Sequence, residues 1–255
     1  MAVERAEIHA IYRYPVKGLT PEPLARTRLA AGKTVPFDRL YAIENGPSGF
    51  DPAAPRHQPK QRYLMLMRNE RLASLRSRFD EESGTLVIES EGCEAARGNL
   101  STPEGRAAIE RFFAAFCAHE LRGPPRMLHA PPFSFSDLAR KVVSIINLAS
   151  VAALETAVGA PVDPLRFRGN VYVSGWAAWH EFDFLGREIT LGECARVKIV
   201  KRIVRCAATN VDPGTGIRDL AIPETLLRTF GHADCGIYGE VVKGGEIVVG
   251  DEIGR

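Results

Sequence analysis

The sequence predicts an α+β protein rich in short strands, of the kind that curls into barrels. Two observations predict it. Short apolar or aromatic runs bounded by Pro, Gly and Asn recur along the whole 255-residue chain, whereas segments with helical periodicity are few. The composition, 45% hydrophobic and 25% charged residues, is that of a globular chain with an ample core.

In the first half, residues 8–12, 40–43, 63–67 and 85–88 read as strands. Residues 46–59 hold four prolines and two glycines and read as a loop. Residues 70–79 have helical spacing, with Leu72, Leu75 and Phe79 on one face. A clearer helix spans about 103–117, with Ile109, Phe112, Phe113 and Phe116 as its apolar stripe. Ser101 with Glu104 offers a capping box for it, and Thr102-Pro103 a second start. Gly123-Pro124-Pro125 and Pro131-Pro132 then bracket a connector. The domain boundary is set there, giving an N-terminal β-barrel-like domain (1–120) and a second domain (121–255).

The second half opens with a strand at 142–146. Asn147 caps the helix that follows, in which Leu148, Val151, Leu154 and Val158 share a face, and Gly159 ends it. Strands follow at 170–173, 187–191, 197–206, 237–242 and 246–249, and Gly244-Gly245 reads as a tight hairpin turn between the last two.

The formal net charge of +2 points to no nucleic-acid partner. No apolar run is long enough to span a membrane, and Met1 to Glu7 is polar, with no targeting pattern. A cytoplasmic monomer is the expectation. The five cysteines (Cys93, Cys117, Cys194, Cys206 and Cys235) are odd in number and widely spaced. That argues against a disulfide framework, and no C-x-x-C pair supports a zinc or iron–sulfur site.

Cys206 ends an apolar strand and leads into the polar, turn-forming Asn210 to Gly216. A catalytic or metal-bound cysteine works as a thiolate, which neighbouring cations favour. Arg205 adjoins it, and alternation along a strand puts Arg202, Val204 and Cys206 on one face. A small buried core residue is the alternative. Lys17 precedes Gly18 in a strand-exit loop, where a close backbone N–H and a point charge suit an anion. Arg39 opens another strand with a guanidinium fork that fits phosphate. Arg166 and Arg168, two apart on extended chain, point the same way, with the Asn170 amide following. Solvated or salt-bridged surface charge is the alternative for each.

Together, Tyr14-Pro15-Val16-Lys17, Asp38-Arg39-Leu40-Tyr41, His57-Gln58-Pro59-Lys60, Arg166 to Asn170, and Arg205-Cys206 with Val211 to Gly216 resemble the MOSC family. The match is to the two-domain form with an N-terminal β-barrel domain, which includes the mitochondrial amidoxime-reducing component. Lys243-Gly244-Gly245-Glu246-Ile247 resembles its closing hairpin. The resemblance implies a molybdenum cofactor held by a pterin dithiolene and by one cysteine, matched by Cys206. Lys17, Arg39, Arg166 and Arg168 match basic positions that grip the pterin and its phosphate. Ser144, Asn147 and Asn170 fall where the family contacts the cofactor. Gly18 stands where the family often has Ser, and Gly169 where it often has Pro.

The implied activity is reduction of small N-hydroxylated substrates. Electrons would come from a separate ferredoxin-, flavodoxin- or cytochrome-type donor protein, since the chain shows no redox site of its own. The rival is a carrier of the cofactor, or of sulfur as a persulfide, without redox turnover.

Overall fold

The computed structural model describes residues 5–254. Met1 to Glu4, part of the polar N-terminal stretch, lie outside the described residues. In chain order the strands are β1 (Glu7–Arg13), β2 (Glu22–Leu24), β3 (Arg26–Leu29), β4 (Tyr41–Asn45), β5 (Arg76–Asp80), β6 (Thr85–Ser90), β7 (Cys93–Asn99), β8 (Pro125–His129), β9 (Val143–Asn147), β10 (Val171–Ser174), β11 (Glu188–Leu191), β12 (Ala195–Val204), β13 (Asp234–Lys243), β14 (Gly245–Val248) and β15 (Ile253–Gly254). The helices are α1 (Pro103–Phe116), α2 (Leu148–Val158) and α3 (Ile222–Phe230). The fold is α+β. Among the described residues no helix is long and apolar enough to cross a membrane.

Eight strands form one sheet in the order β15-β11-β12-β13-β9-β10-β1-β2. The sheet curls until β1 meets the end of the chain. Ile8 N–H donates to Asp251 O at 2.9 Å, Gly250 N–H to Ile8 O at 2.7 Å, and Ile253 N–H to Ala6 O at 2.8 Å. Closure of this kind leaves few free strand edges. Its interior is packed with Ile8, Ile11, Ile145, Val171, Val197 and Ile237. The large sheet therefore draws strands from both halves of the sequence.

A second core lies between α1, the β5-β6-β7 sheet and the β4-β8 pair, around Leu64, Leu72, Phe79, Ile109 and Phe113. Thr102 caps α1, accepting from Gly105 N–H at 3.1 Å, with Pro103 in the first turn. Asn147 accepts from Ala149 N–H at 3.0 Å to cap α2, and Gly159 ends that helix at a φ of 76°. Asn147 and Gly159 act as the sequence predicts, and α1 begins at the second of its two offered starts, Thr102-Pro103, rather than at a Ser101–Glu104 capping box.

Three expectations are corrected, and one helix is added. Residues 63–67 are not a strand: Asn69 N–H donates to Met65 O and its side chain accepts from Met65 N–H, which folds the segment into a turn. Residues 70–79 are not one helix but a 3₁₀ turn (Glu70–Ser74) followed by β5; Leu72, Leu75 and Phe79 still share one core. Gly244-Gly245 closes no hairpin. β14 pairs with β3, and a Cβ at Gly245 would come within 2.7 Å of Ala195 N, so the glycines let two backbones cross. Helix α3 was not anticipated, although Pro223 in its first turn and Gly231 beyond its end mark both termini.

Candidate functional site

The cleft draws its lining from both halves of the chain. Lys17 and Arg39 from the first half and Ser144, Arg166, Arg168, Asn170 and Cys206 from the second line one space of about 980 Å³, its open mouth included. Six cationic side chains line it against two carboxylates, Asp38 and Asp137.

Lys17 is carried in by a bridge between Val16 and Tyr41, with its N–H donating to Tyr41 O at 2.9 Å. The next residue has a φ of 88°, and a Cβ there would sit 3.1 Å from Leu64 O. Glycine suits this position for a steric reason. The Lys17 ammonium donates to Phe135 O at 2.8 Å and to the Asp137 carboxylate. Burial pushes its pKa down; Asp137 opposes this, and Arg39 and Lys60 add to it.

Lys60 bridges this group to the thiol. Its Nζ lies 3.6 Å from Asp137 Oδ2 and 3.2 Å from Cys206 Sγ. Burial works against the Lys60 charge, but Asp137 and Cys206 outweigh it and raise the pKa. Burial likewise opposes ionisation of Asp137, yet Lys17, Lys60 and Arg39 hold its carboxyl well below the usual range. Asp137 was missed in the sequence because it sits in a proline-bracketed connector that reads as linker. Lys60 was seen only as part of a motif.

Arg39 and Arg168 both have left-handed backbone, with φ of 49° and 50°. Arg39 pairs with Asp38 at 2.6 Å, and Asp38 also accepts from Tyr14 N–H at 2.9 Å. Burial opposes the Arg39 charge, but Asp38 foremost raises its pKa above the ordinary value. Arg168 donates to Leu19 O at 2.8 Å, and burial pushes its pKa down to about 10.

The expectation that Arg166 and Arg168 run together on extended chain is corrected. Asp163 accepts from Leu165 N–H at 2.8 Å, and Pro164 starts a 3₁₀ turn through Phe167. The two side chains diverge. Arg166 is locked to Asp219 by two contacts of 2.7 Å and to Asp212 at 3.3 Å, so its charge ties down the loop after Cys206.

Ser144 and Asn170 line the cleft but bond each other: Ser144 Oγ donates to Asn170 Oδ1 at 2.8 Å and accepts from Asn170 N–H at 3.0 Å. Asn147 stands outside the cleft lining. Its Nδ2 donates to Ala177 O and to the buried Glu181, each at 2.8 Å, while its Oδ1 caps α2.

Cys206 is half-buried and starts a 3₁₀ turn (Ala207–Asn210); Thr209 donates to its carbonyl from both N–H and Oγ1 at 3.0 Å. Arg205 does not pair with the thiol: it donates to Cys235 O at 2.7 Å and Phe167 O at 2.9 Å. Arg202 does not accompany the thiol either. The pairing of β12 with β13 slips between Arg202 and Val204, and the guanidinium lies 4.3 Å over the Phe182 ring. The cation beside the sulfur is Lys60, from the other half of the chain. A second clamp, Arg218, donates to Ala207 O at 2.9 Å and to Met67 O at 2.8 Å, fixing the cysteine loop to the first half.

Comparison with known proteins adds to this geometry. The mitochondrial amidoxime reducing component 2 of Bos taurus is 32% identical over 123 residues, which is 44% of this chain and 36% of that protein. The protein of the same name from Homo sapiens is also 32% identical, with the same coverage. The chain thus spans about a third of the length of these relatives. Among solved structures, the YUAD protein from Bacillus subtilis aligns over 97% of this chain and 93% of its own, at 12% identity and a TM-score of 0.46. The MOSC N-terminal beta barrel domain matches residues 5–117 and the MOSC domain residues 127–254, just over half of the chain, and the chain belongs to the MOSC family in its two-domain form.

Proposed function

We propose that the chain binds a molybdenum cofactor in this cleft and reduces N-hydroxylated compounds, amidoximes among them, with electrons from a separate donor protein. Cys206 carries the reading: a thiol opening onto a cation-rich cleft with Lys60 at 3.2 Å. The donor set fits the group. One sulfur is available to a metal, and Lys17, Arg39 and Arg168 are the residues that would face an anionic pterin phosphate. The names of the curated relatives support the reductase assignment.

When bound, the cofactor supplies the two-electron centre at which the substrate loses its oxygen. The overall change is R–NH–OH + 2 e⁻ + 2 H⁺ → R–NH₂ + H₂O. Lys60 holds the sulfur, Asp137 holds Lys60, and Arg166 with Arg218 fixes the loop that carries the thiol. Met67, Leu138 and Val204 offer an apolar wall to the substrate at the mouth. The domain division at residue 120, a cytoplasmic location and a monomeric state belong to the same proposal.

The test is elemental analysis for molybdenum on wild type and Cys206→Ser side by side, with benzamidoxime reduction by the reconstituted protein and a redox donor. Metal and turnover in wild type and their loss in the variant are expected. Stoichiometric molybdenum without turnover overturns the reductase reading. A persulfide on Cys206 with no molybdenum identifies a sulfur carrier instead.

A further inference from the structure

The charges of this chain are close to balanced, 33 basic against 31 acidic, but they are not evenly spread. Three segments meet at the cleft mouth, around residues 60–67, 136–142 and 203–209. Residues 56–69 carry Arg56, Lys60, Arg62 and Arg68 and no acid. Residues 196–206 carry five cations and no acid, and residues 136–142 two cations and Asp137.

Arg62 and Arg68 are exposed, and each lies within two residues of a cleft-lining position. Lys201 is exposed and pairs in register with Tyr238, which lines the cleft. Lys141 adjoins Val142, another lining residue. Three of the acids that approach are already paired: Asp137 with Lys17 and Lys60, Glu70 with Arg218 at 3.0 Å, and Glu240 with Arg140 at 3.1 Å. Asp234, opposite Val204, is one acid against the four cations Arg62, Arg68, Lys141 and Lys201. The positive rim is thus left unbalanced. Within it lie apolar side chains open to solvent: Val204 is 65% exposed, and Ile217, 61% exposed, adjoins the Arg218 clamp on Met67. An apolar centre inside a charged rim is the anatomy of a protein-docking face.

We infer that this rim is the docking surface for a small acidic redox protein, the electron donor that the proposed reductase activity requires; the inference rests on that reading. Arg62, Arg68, Lys141 and Lys201 steer the donor's acidic face to the mouth, and Val204 and Ile217 make the contact at its centre. Electrons then enter through the same opening that admits substrate. Such steering acts over about 8 Å at physiological salt and fades as salt rises.

The test titrates a small acidic [2Fe–2S] ferredoxin into the protein at about 20 mM and about 500 mM NaCl, either side of physiological screening. It uses wild type and the triple variant Arg62→Glu/Arg68→Glu/Lys201→Glu, with thermal melts to confirm the fold. At low salt the variant is expected to bind tenfold or more weakly, with the difference closing at high salt. Turnover driven by reduced methyl viologen is expected to stay within twofold of wild type, because none of the three side chains lines the cleft. Unchanged ferredoxin affinity in the variant, or no low-salt binding by wild type, overturns the docking face. Binding to phosphatidylserine vesicles in place of ferredoxin, abolished in the variant, assigns the rim to an anionic membrane and overturns it too. Molybdenum-loaded wild type that turns over with neither donor, yet binds ferredoxin through the rim, overturns the reductase reading and leaves the docking face standing.

Discussion

Arg39 and Arg168 come from opposite halves of the chain and share one aromatic ring. Their guanidinium carbons lie 4.1 and 4.3 Å from the centroid of Tyr14, and Arg39 Nη2 donates to Arg168 O at 2.9 Å. Two like charges held this close need the ring quadrupole and the Asp38 carboxylate between them. Left-handed backbone at both arginines adds strain that the surrounding contacts must outweigh. Tyr14→Leu is expected to lower stability by about 2 kcal/mol, from lost ring packing and two cation–π contacts. Tyr14→Phe, which keeps the ring, should stay near wild type. Urea unfolding of the pair checks this; equal loss in both variants would assign the effect to the hydroxyl.

Asp137 sets a pH dependence. Its folded pKa lies below its unfolded value, so its contribution is fully present above about pH 4. It is lost as pH falls further, through the lower folded value. The stability gap between wild type and Asp137→Asn is therefore expected to be constant from pH 7 to 5 and to shrink from about pH 4 downward. Urea midpoints across that range test it, and a gap that stays flat to pH 2.5 would contradict the pairing with Lys17 and Lys60.

Arg166 has almost no exposed side chain and pairs with Asp212 and Asp219. Arg166→Met removes the buried partner of two half-exposed carboxylates and is expected to cost about 1–2 kcal/mol. Arg166→Lys keeps a charge but loses the two-pronged contact and should fall between. Hydrogen exchange in residues 207–219 should accelerate in both. Unchanged exchange there would mean that the arginine does not hold the cysteine loop.

Gly169 sits where no side chain fits. Its N–H donates to Tyr172 Oη at 3.0 Å, and a Cβ would collide with the Ile146 side chain. Gly169→Pro removes the donor and adds the collision, for an expected loss of about 3 kcal/mol. Gly169→Ala keeps the donor and should lose less. Thermal unfolding of the two variants, with Ile146→Val added to relieve the collision, separates the contributions.

Much of this was legible in the residues. The caps at Thr102 and Asn147 follow from side-chain chemistry alone, and strands β9 to β13 follow from apolar runs bounded by turn residues. Seven of the eight expected site residues line one cleft, whereas Asn147 sits beneath it as a helix cap. What sequence spacing could not supply was partner choice. Arg166 and Arg168 look equivalent in the chain, yet a 3₁₀ turn begun by Pro164 sends one to Asp219 and the other to Tyr14. Lys60 reaches Cys206 across 146 positions, a contact that no local pattern encodes. The failed hairpin at Gly244-Gly245 has the same origin, since the partner of β14 is the distant β3.

The bond between Ile8 and Asp251 has a consequence for how the protein is made. A chain leaving the ribosome can assemble α1 with β5, β6 and β7 from contacts close in sequence, well before residues 250–253 are made. The barrel cannot: β1 can pair early with β2, but it must wait for β10 and then for residues 250–253 before the sheet closes. Until residues 250–253 are made, the backbone around Ile8 lacks the partners that close the barrel, and that stretch of edge stays open to pairing with another chain.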